Sequence, residues 1–283
     1  MYAEGRSDTL FLRLNDTAGL WDKWQPQTGD DIAVNYGNAK TGKMFVSSCS
    51  PTNGLYTIKA MSVPPTYREK NSKTWQKVKL TQIGSEIAAK HGLSFKSYGV
   101  TDYLYEYILQ DNQSDFAFLH NRCILEGCSF VVYDGVLTIY SQTYMESQQA
   151  SEVFSFSSDT DFEFWERTAS CYGSCEIERG AYKGSFTAGN GLATVLRPND
   201  NISIGSNDEA VRFAKNLLRN ANKNAKTGYI RAVVLTGYAP ASNINIKNAR
   251  AATWNGQAFV TQVRNDYGDC TSKIFFRKAL EGY

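Results

Sequence analysis

The side chains that most often support catalysis or bind metals are sparse in this sequence. It contains two histidines, and neither His91 nor His120 lies in a Cys-His or Ser-His-Asp setting. His91 ends an apolar helical stretch, where an imidazolium would meet the negative end of the helix dipole, and His120 lies within a second helical stretch. We interpret both as capping or surface residues, and the sequence predicts no catalytic residue.

Carboxylates and cysteines form no recognisable site either. Residues 161–166 (DFEFWE) combine acidic and aromatic side chains, as glycan-cleaving sites also do, but one local run cannot place two carboxylates across a sugar. Their alternation predicts a half-buried strand. The six cysteines are predicted to be reduced thiols, and Cys171 and Cys175 have the wrong spacing for a common zinc knuckle. No metal or cofactor site is predicted.

Basic residues recur along a predicted helix at residues 207–222 and just beyond it. They are Lys215, Arg219, Lys223 and Lys226. A solvated helix face is the simpler interpretation, and contact with DNA or with another protein chain is the alternative. The formal net charge of +2 argues against a dedicated nucleic-acid binder.

The elements that must position these side chains are clearest between residues 80 and 140. Apolar residues at helical spacing predict a helix over residues 80–91, ended by Gly92, and a second over residues 116–126, with Ser114 as its N-cap and Gly127 at its end. Residues 103–109 are predicted to be extended. After the second helix, Asp134-Gly135 between two apolar runs predicts a two-residue β-hairpin.

The second half has a different texture. Short apolar runs broken by glycines between residues 162 and 204 predict strands joined by turns. A helix begins after Ser206, which is followed by Asp208 and Glu209 in its first turn, and strands resume at residues 229–236. Residues 151–160 are predicted to form a strand or a linker.

The order of these motifs resembles that of phage baseplate hub proteins. The motifs are an Asp-led strand at residues 7–16, Trp21 and Trp24 before a Pro-x-x-Gly-Asp loop, and the run from Arg68 to Trp75. They continue with the two helices and hairpin at 80–140 and a closing hairpin at 258–283. This family, known as late control D or gp27-like, also occurs in phage-tail-like bacteriocins and contractile injection systems. The resemblance covers nearly the whole chain, and its specificity lies in the order of the motifs.

The resemblance implies an α+β fold of two β-barrel, tail-tube-like domains with an inserted α/β module of two helices and a β-hairpin. The expected first barrel is residues 1–66, the module is residues 67–150, and the second barrel is residues 151–283, with an inserted helix near 207–222. Family members usually have strands ahead of the Asp-led one. The first barrel is therefore expected either to lack its opening strands or to have its edge completed by another subunit.

The function that the resemblance implies is structural rather than enzymatic. The expected assembly is a homotrimeric ring that adapts the six-fold tail tube to the three-fold central spike and leaves a channel for tape measure and DNA. Expected partners are the tail tube protein, the central spike protein, the tape measure protein and the baseplate wedge components, with DNA only in transit. The expected location is the baseplate of a virion tail or tail-like particle, assembled in the bacterial host cytoplasm.

Composition agrees with a contact-making protein. Aromatic residues make up 13% of the chain, and they are common in strands and at interfaces. Trp21, Trp24 and Trp75 are our candidates for packing or interface anchors. No run is long and apolar enough to span a bilayer, and the N-terminal residues lack the apolar core of a signal peptide. Two alternatives are a tail-associated cell-wall hydrolase and a nucleic-acid- or glycan-binding module.

Overall fold

The protein was analysed as a computed structural model that describes residues 1–37, 39–150, 152–155, 161–198, 202–232 and 238–283. The described chain is mostly β, with curled half-barrel sheets and few helices. The helices are α1 Leu20–Trp24, α2 Leu80–Lys90, α3 Asp115–Leu125, α4 Gln142–Ser147 and α5 Asn207–Asn222.

The first part of the chain forms a four-stranded antiparallel sheet in the order β1-β6-β5-β2, with a small β3–β4 hairpin beside it. Its strands are β1 Thr9–Asn15, β2 Asp31–Ile32, β3 Asn35–Tyr36, β4 Ala39–Lys40, β5 Met44–Thr52 and β6 Leu55–Met61. Leu10, Leu12 and Leu14 share the inner face of β1, as their alternation predicts, while Phe11 and Arg13 lie on the exposed face.

The middle part contains a long two-stranded ribbon and, separate from it, a three-stranded sheet in the order β10-β11-β8. The ribbon consists of β7 Lys70–Lys79 and β9 Leu104–Ser114, and the sheet of β8 Ser94–Tyr98, β10 Cys128–Tyr133 and β11 Val136–Ser141. Strand β9 runs five residues beyond the predicted extended stretch. It continues because Asn112 adopts a positive φ and donates its N–H to Ser72 Oγ, so a bulged pairing with β7 is maintained.

Local signals in this middle part are confirmed. Helix α2 ends where Gly92 takes a φ of +68° and the N–H of Leu93 bonds to the carbonyl of Ala88, which is a Schellman ending. Ser114 Oγ accepts from the N–H of Ala117 at the start of α3. The Asp134-Gly135 turn joins β10 to β11 with both residues at positive φ.

The last part contains a six-stranded sheet in the order β12-β18-β19-β20-β17-β13 and a three-stranded sheet in the order β15-β14-β16. The strands are β12 Glu152–Ser155, β13 Asp161–Glu166, β14 Ser174–Arg179, β15 Tyr182–Thr187, β16 Val195–Leu196, β17 Lys226–Ala232, β18 Asn243–Lys247, β19 Gly256–Asp266 and β20 Thr271–Lys278. The predicted strand at 229–236 is described only as far as Ala232. The predicted strand or linker at 151–160 is described only as β12.

Helix α5 begins as its sequence predicts, with Ser206 Oγ accepting from the N–H of Glu209. It packs on the three-stranded sheet, against β14 and β15, and also on the middle part of the chain. Its residues Phe213, Ala214 and Leu218 belong to the same hydrophobic cluster as α2 and α3. Arg212 also forms a two-bond ion pair with Glu126, so α5 is attached to the middle part of the chain.

The N-terminal residues lie on the last sheet rather than on the first. The N–H of Ala3 bonds to the carbonyl of Thr261, and the N–H of Val263 bonds to the carbonyl of Met1. They therefore extend the side of β19 on which β18 also pairs. Within the described residues the outer edge of β1 has no paired strand, so the first sheet is not completed by this segment.

Candidate assembly surfaces

A buried group of five charged side chains joins distant parts of the fold. Arg277 on β20 is fully buried and contacts both Glu4 of the N-terminal segment and Glu146 of α4, at 3.0 and 2.5 Å. Glu146 also accepts from Arg219 at 2.5 Å, and Lys223 contacts Glu4 at 2.6 Å. Because an unpaired buried charge is costly, these contacts hold the N-terminal segment, α4, α5 and the last sheet in one arrangement.

The electrostatics of this group favour its charged state. Burial by itself would raise the pKa of Glu4, but Arg277 and Lys223 outweigh burial, and the pKa of Glu4 is lowered. For Arg277, burial would lower the pKa, but Glu4 and Glu146 raise it. The guanidinium of Arg277 also lies over the ring of Phe259, 4.6 Å from its centroid, which covers one face of the cation.

This arrangement corrects the prediction of a solvated basic face on α5. Arg219 is buried against Glu146, and Lys223 is largely buried against Glu4. Lys226 lies on β17, where it pairs with Glu166 at 3.2 Å, and Lys215 approaches the ring of Phe186. The prediction was wrong because the apolar stripe of α5 suggests one buried side, whereas the helix is packed both on β14 and β15 and on the middle part of the chain. Cations at its margin therefore meet carboxylates from distant segments.

His91 lies in a hydrogen-bonded row that the sequence does not reveal. Its Nε2 lies 3.0 Å from Asp115 Oδ2, and its Nδ1 lies 3.0 Å from Thr66 Oγ1. Since a carboxylate only accepts, Nε2 carries the proton, and in the neutral ring Nδ1 accepts from the hydroxyl. His91 is the C-cap of α2, as the capping interpretation predicted, but its ring is buried rather than on the surface, and the Thr66 hydroxyl and the Asp115 carboxylate flank it.

The surroundings of Asp115 indicate a structural use for this row. The same carboxylate accepts from Lys90 at 2.7 Å, from Gln110 at 2.9 Å and from Asn71 at 3.2 Å. Burial would raise the pKa of Asp115, but the hydrogen bonds from Lys90, Gln110 and His91 lower it. Asp115 thus fastens the end of α2 and both strands of the ribbon to the start of α3. His120, the second histidine, is partly buried within α3, and burial lowers its pKa.

The described residues show no metal-binding group. Nowhere in the described ranges do three His, Cys, Asp or Glu side chains come close enough together to hold an ion. All six cysteines are free, and no helix there is long and apolar enough to cross a bilayer.

Helix α1 carries the most exposed large apolar side chains of the first part of the chain. We call this surface the knob and define it as Leu20, Trp21, Asp22 and Trp24. Leu20 is 66% exposed and Trp24 is 71% exposed. Trp21 is half-buried against Val46, Tyr56 and Ile58, and its ring lies 5.1 Å from that of Trp24. The third predicted anchor, Trp75, lies in the largest hydrophobic cluster and stacks on Phe118.

Helix α1 was not predicted, because its five residues are too few to show a period. Its support comes from Asp16, whose two carboxylate oxygens accept the N–H groups of Trp21 and Asp22 at 3.0 and 3.3 Å. Gly19 and Gln25 bound the helix with positive φ angles. Contacts within the chain itself therefore hold the knob in its helical conformation.

A cleft of about 530 Å³ lies between the first sheet and β19, and we call it the cationic cleft. Its lining includes Phe11, Lys40, Lys59, Met61, Arg264 and Tyr267. No carboxylate lines it. None of the ion pairs among the described residues includes Lys40, Lys59 or Arg264.

An alternating row of rings and cations continues from the cleft across the last sheet. Trp165, Tyr229 and Phe275 lie side by side on β13, β17 and β20, with centroids 5.7 and 5.8 Å apart. The ammonium of Lys273 lies 3.3 Å from the centroid of Tyr229, and Arg264 approaches Phe275. Strand β13 is half-buried, as residues 161–166 predict, and Trp165 Nε1 donates to Glu163. Its carboxylates lie beside rings that are packed together.

The same architecture occurs in solved structures. The tail protein from Neisseria meningitidis MC58 matches with a TM-score of 0.74 and 9% identity, over 96% of this chain and 88% of that chain. The 43 kDa tail protein of prophage MuSo2 from Shewanella oneidensis matches with a TM-score of 0.71 and 10% identity, over 95% of this chain and 89% of that chain.

A third structure is a component of the type VI secretion system of E. coli, described as structurally similar to the T4 bacteriophage tail proteins gp27 and gp5. It matches with a TM-score of 0.66 and 11% identity, over 100% of this chain and 73% of that chain. The chain has the fold of phage tail proteins.

This phage-tail fold agrees with the resemblance to baseplate hubs that the motif order indicated, and at these identities it is the fold alone that is shared. No protein-family model matches the sequence, and no curated protein matches it. The similarity extends over nearly the whole chain.

Proposed function

We propose that this chain is the structural baseplate hub of a bacteriophage or phage-tail-like particle. In this proposal three copies form a ring that joins the six-fold tail tube to the three-fold central spike and leaves a channel for tape measure and DNA. The observation that carries the proposal is the phage-tail fold over 95% or more of the chain in each of the three structures above.

The parts of the chain have separate tasks in this proposal. Residues 1–66 and 151–283 supply the two tube-like parts of the ring wall, and residues 67–150 form a module on its outside. The buried charged group supports a fixed arrangement of these parts, because it ties the N-terminal segment, α4 and α5 to the last sheet. A ring wall that joins a six-fold tube to a three-fold spike needs its parts to keep one relative orientation.

The proposed partners are the tail tube protein, the central spike protein, the tape measure protein and the baseplate wedge components, and the proposed location is the tail baseplate. Two kinds of surface support protein partners. The knob exposes large apolar side chains, and the β7–β9 ribbon exposes Leu104, Tyr107 and Leu109. Grouped exposed apolar residues of this size mark interaction sites in soluble proteins. We propose no enzymatic activity for the chain.

The experiment that tests the proposal is the solution mass of the purified protein, measured by light scattering coupled to size exclusion over a concentration series. Three copies of the 31.6 kDa chain give about 95 kDa. That mass, together with a three-lobed ring in negative stain, is the expected result. A species that stays at 31.6 kDa, and forms no ring when the tube or spike protein is added, would contradict the proposal.

A further inference from the structure

We propose that the knob of one copy inserts into the cationic cleft of a second copy of this chain. The inference rests on the proposed function, since it names the contact by which copies of the hub would join. It assigns the contact to Leu20 and Trp24 on one side and to Lys40, Lys59 and Arg264 on the other.

The knob has the character of an interface anchor. Trp24 and Leu20 expose most of their side chains to water, although both are large and apolar. Tryptophan is enriched among the residues that dominate interface energies, particularly where it fills a pocket of the partner. Asp16 and Trp21 hold the helix in place from beneath, so little conformational freedom is lost when the knob docks.

The cleft has the size and chemistry to receive the knob. Its volume of about 530 Å³ falls within the usual range for ligand pockets. Phe11 and Met61 are among its apolar lining residues, and the lining carries three cationic side chains and no carboxylate. The knob brings the carboxylate of Asp22 to the cleft, and Asp16 at its base adds a second, with Lys23 as the one cation of residues 16–24. The charges are therefore complementary.

The positions of the two features select a second copy over the same chain. In the β1–β6 pair, Asn15 lies opposite Leu55 at the end that leads to the knob, and Thr9 lies opposite Met61 at the end that borders the cleft. The cleft extends from that end to Phe11, whose side chain lies on the exposed face of the sheet, whereas Trp21 packs on the inner face. Because the knob is held against the opposite face of the sheet, it does not enter the cleft of its own chain.

A contact between two different surfaces of identical chains is head-to-tail. Such a contact closes into a ring when the rotation between copies fits a whole number of subunits. Knob-to-cleft docking would thus pass from copy to copy around the proposed ring, and each copy would use its knob once and its cleft once.

The first measurement compares the association of three variants with that of the wild type by light scattering after dilution. The knob variant is Leu20→Ser with Trp24→Ser, and the cleft variant is Lys59→Glu with Arg264→Glu. The control is Tyr182→Ser with Val211→Ser, which removes two other exposed apolar side chains, on β15 and α5, that belong to neither surface. We expect the knob and cleft variants to associate at least about 30-fold more weakly, and the control to match the wild type.

Folding is checked separately by circular dichroism and thermal unfolding. All six substituted side chains are exposed or half-exposed, so every variant is expected to melt within a few degrees of the wild type. A knob variant that keeps its melting temperature and still forms the wild-type ring would overturn this inference, while the proposed hub function would stand.

The second measurement mixes the knob variant with the cleft variant. Each alone lacks one half of the contact, but the intact cleft of the first can accept the intact knob of the second. The mixture is expected to form a pair of about 63 kDa and to stop there, because the remaining knob and cleft are both defective. A mixture that stays monomeric, or one that forms full rings, would contradict knob-to-cleft docking.

Other occupants of the cleft give different results. If the cleft binds nucleic acid instead, the cleft variant loses salt-sensitive retention on a DNA column while its ring stays intact, which overturns the inference. A wild-type chain that remains a monomer up to about 100 µM also overturns it, together with the trimer proposal. If the copies instead form open polymers, and the Trp24 substitution stops their growth, knob-to-cleft docking is supported and only the closure of the ring is contradicted.

Discussion

Arg277 and Glu146 meet 2.5 Å apart in the interior, although one lies on β20, the last strand of the chain, and the other on α4, the short helix after the Asp-Gly hairpin. Arg277 also donates to Glu4, and Glu146 also accepts from Arg219 at 2.5 Å. Glu146 is therefore a carboxylate that two buried arginines share.

Removing this shared carboxylate should be strongly destabilising. Glu146→Ala leaves Arg219 without its acid and Arg277 with Glu4 alone, so we expect a loss of about 3–5 kcal/mol in the free energy of unfolding. Urea unfolding followed by circular dichroism measures it. The matched control is Glu176→Ala, which removes an exposed Glu–Arg pair with Arg197 and should cost less than about 1 kcal/mol. Equal losses in the two variants would contradict the structural role of the junction.

The lowered pKa of Glu4 predicts how stability changes with pH. A carboxyl whose folded pKa lies below its unfolded value of about 4.3 contributes stability above that value and loses it as pH falls through the folded pKa. Glu4→Gln should therefore be less stable than the wild type at pH 7, and the difference should shrink as pH falls from about 5 towards 3. Unfolding free energies at several pH values provide the measurement, and a difference independent of pH would refute the assignment.

Asp115 should matter more than the hydroxyl that shares its histidine. Asp115→Ala leaves buried donors of His91 and Gln110 without an acceptor, and we expect a loss of at least about 2 kcal/mol in unfolding free energy. Thr66→Val removes only the exposed end of the row and should cost less than about 1 kcal/mol. A Thr66→Val variant as unstable as Asp115→Ala would show that the row, rather than the carboxylate, fastens α2 to α3.

Close backbone contact between α5 and β15 predicts a glycine-specific effect. A Cβ added at Gly184 would overlap the backbone of Ala210 and Val211, so Gly184→Ala must push the helix away from the strand. We expect a loss of about 1–3 kcal/mol or more. Gly189→Ala is the control, since nothing lies within 4 Å of its added Cβ and its φ is not positive. Thermal unfolding of the two variants distinguishes them, and similar melting temperatures would contradict the packing of α5.

The helices that could be predicted from the sequence are those with a capping residue or a glycine at one end. Helices α2, α3 and α5 have a cap or a glycine at an end and an apolar stripe, and these signals act within a few residues. Helix α1 has five residues, so its position depends on Asp16 and on two residues at positive φ rather than on a period. No hydrophobic pattern can reveal it.

The unpredictable part of the site depends on contacts between distant segments. Arg219 and Glu146 are 73 residues apart in sequence, and nothing near either residue identifies the other. The local pattern around Arg219 is that of a solvated helix margin, which is why that prediction was wrong. The cationic cleft is similar, since Lys40, Lys59 and Arg264 come together only when the first sheet meets β19.

Burial of the cysteines predicts the order in which they react with iodoacetamide. Burial raises the pKa of Cys128 to about 12 and that of Cys175 to about 11, and it raises the pKa of the fully buried Cys123 well above its usual range. Because the thiolate is the reactive form, these three should remain unmodified in the native protein at pH 8, while the exposed Cys270 is labelled first. Peptide mass spectrometry after a timed pulse measures the order, and the same pulse in urea should label all six. Early labelling of Cys123 or Cys128 without denaturant would mean that α3 opens from β10 in the folded protein, and that the core shared by α2, α3 and α5 is not closed as the structure has it.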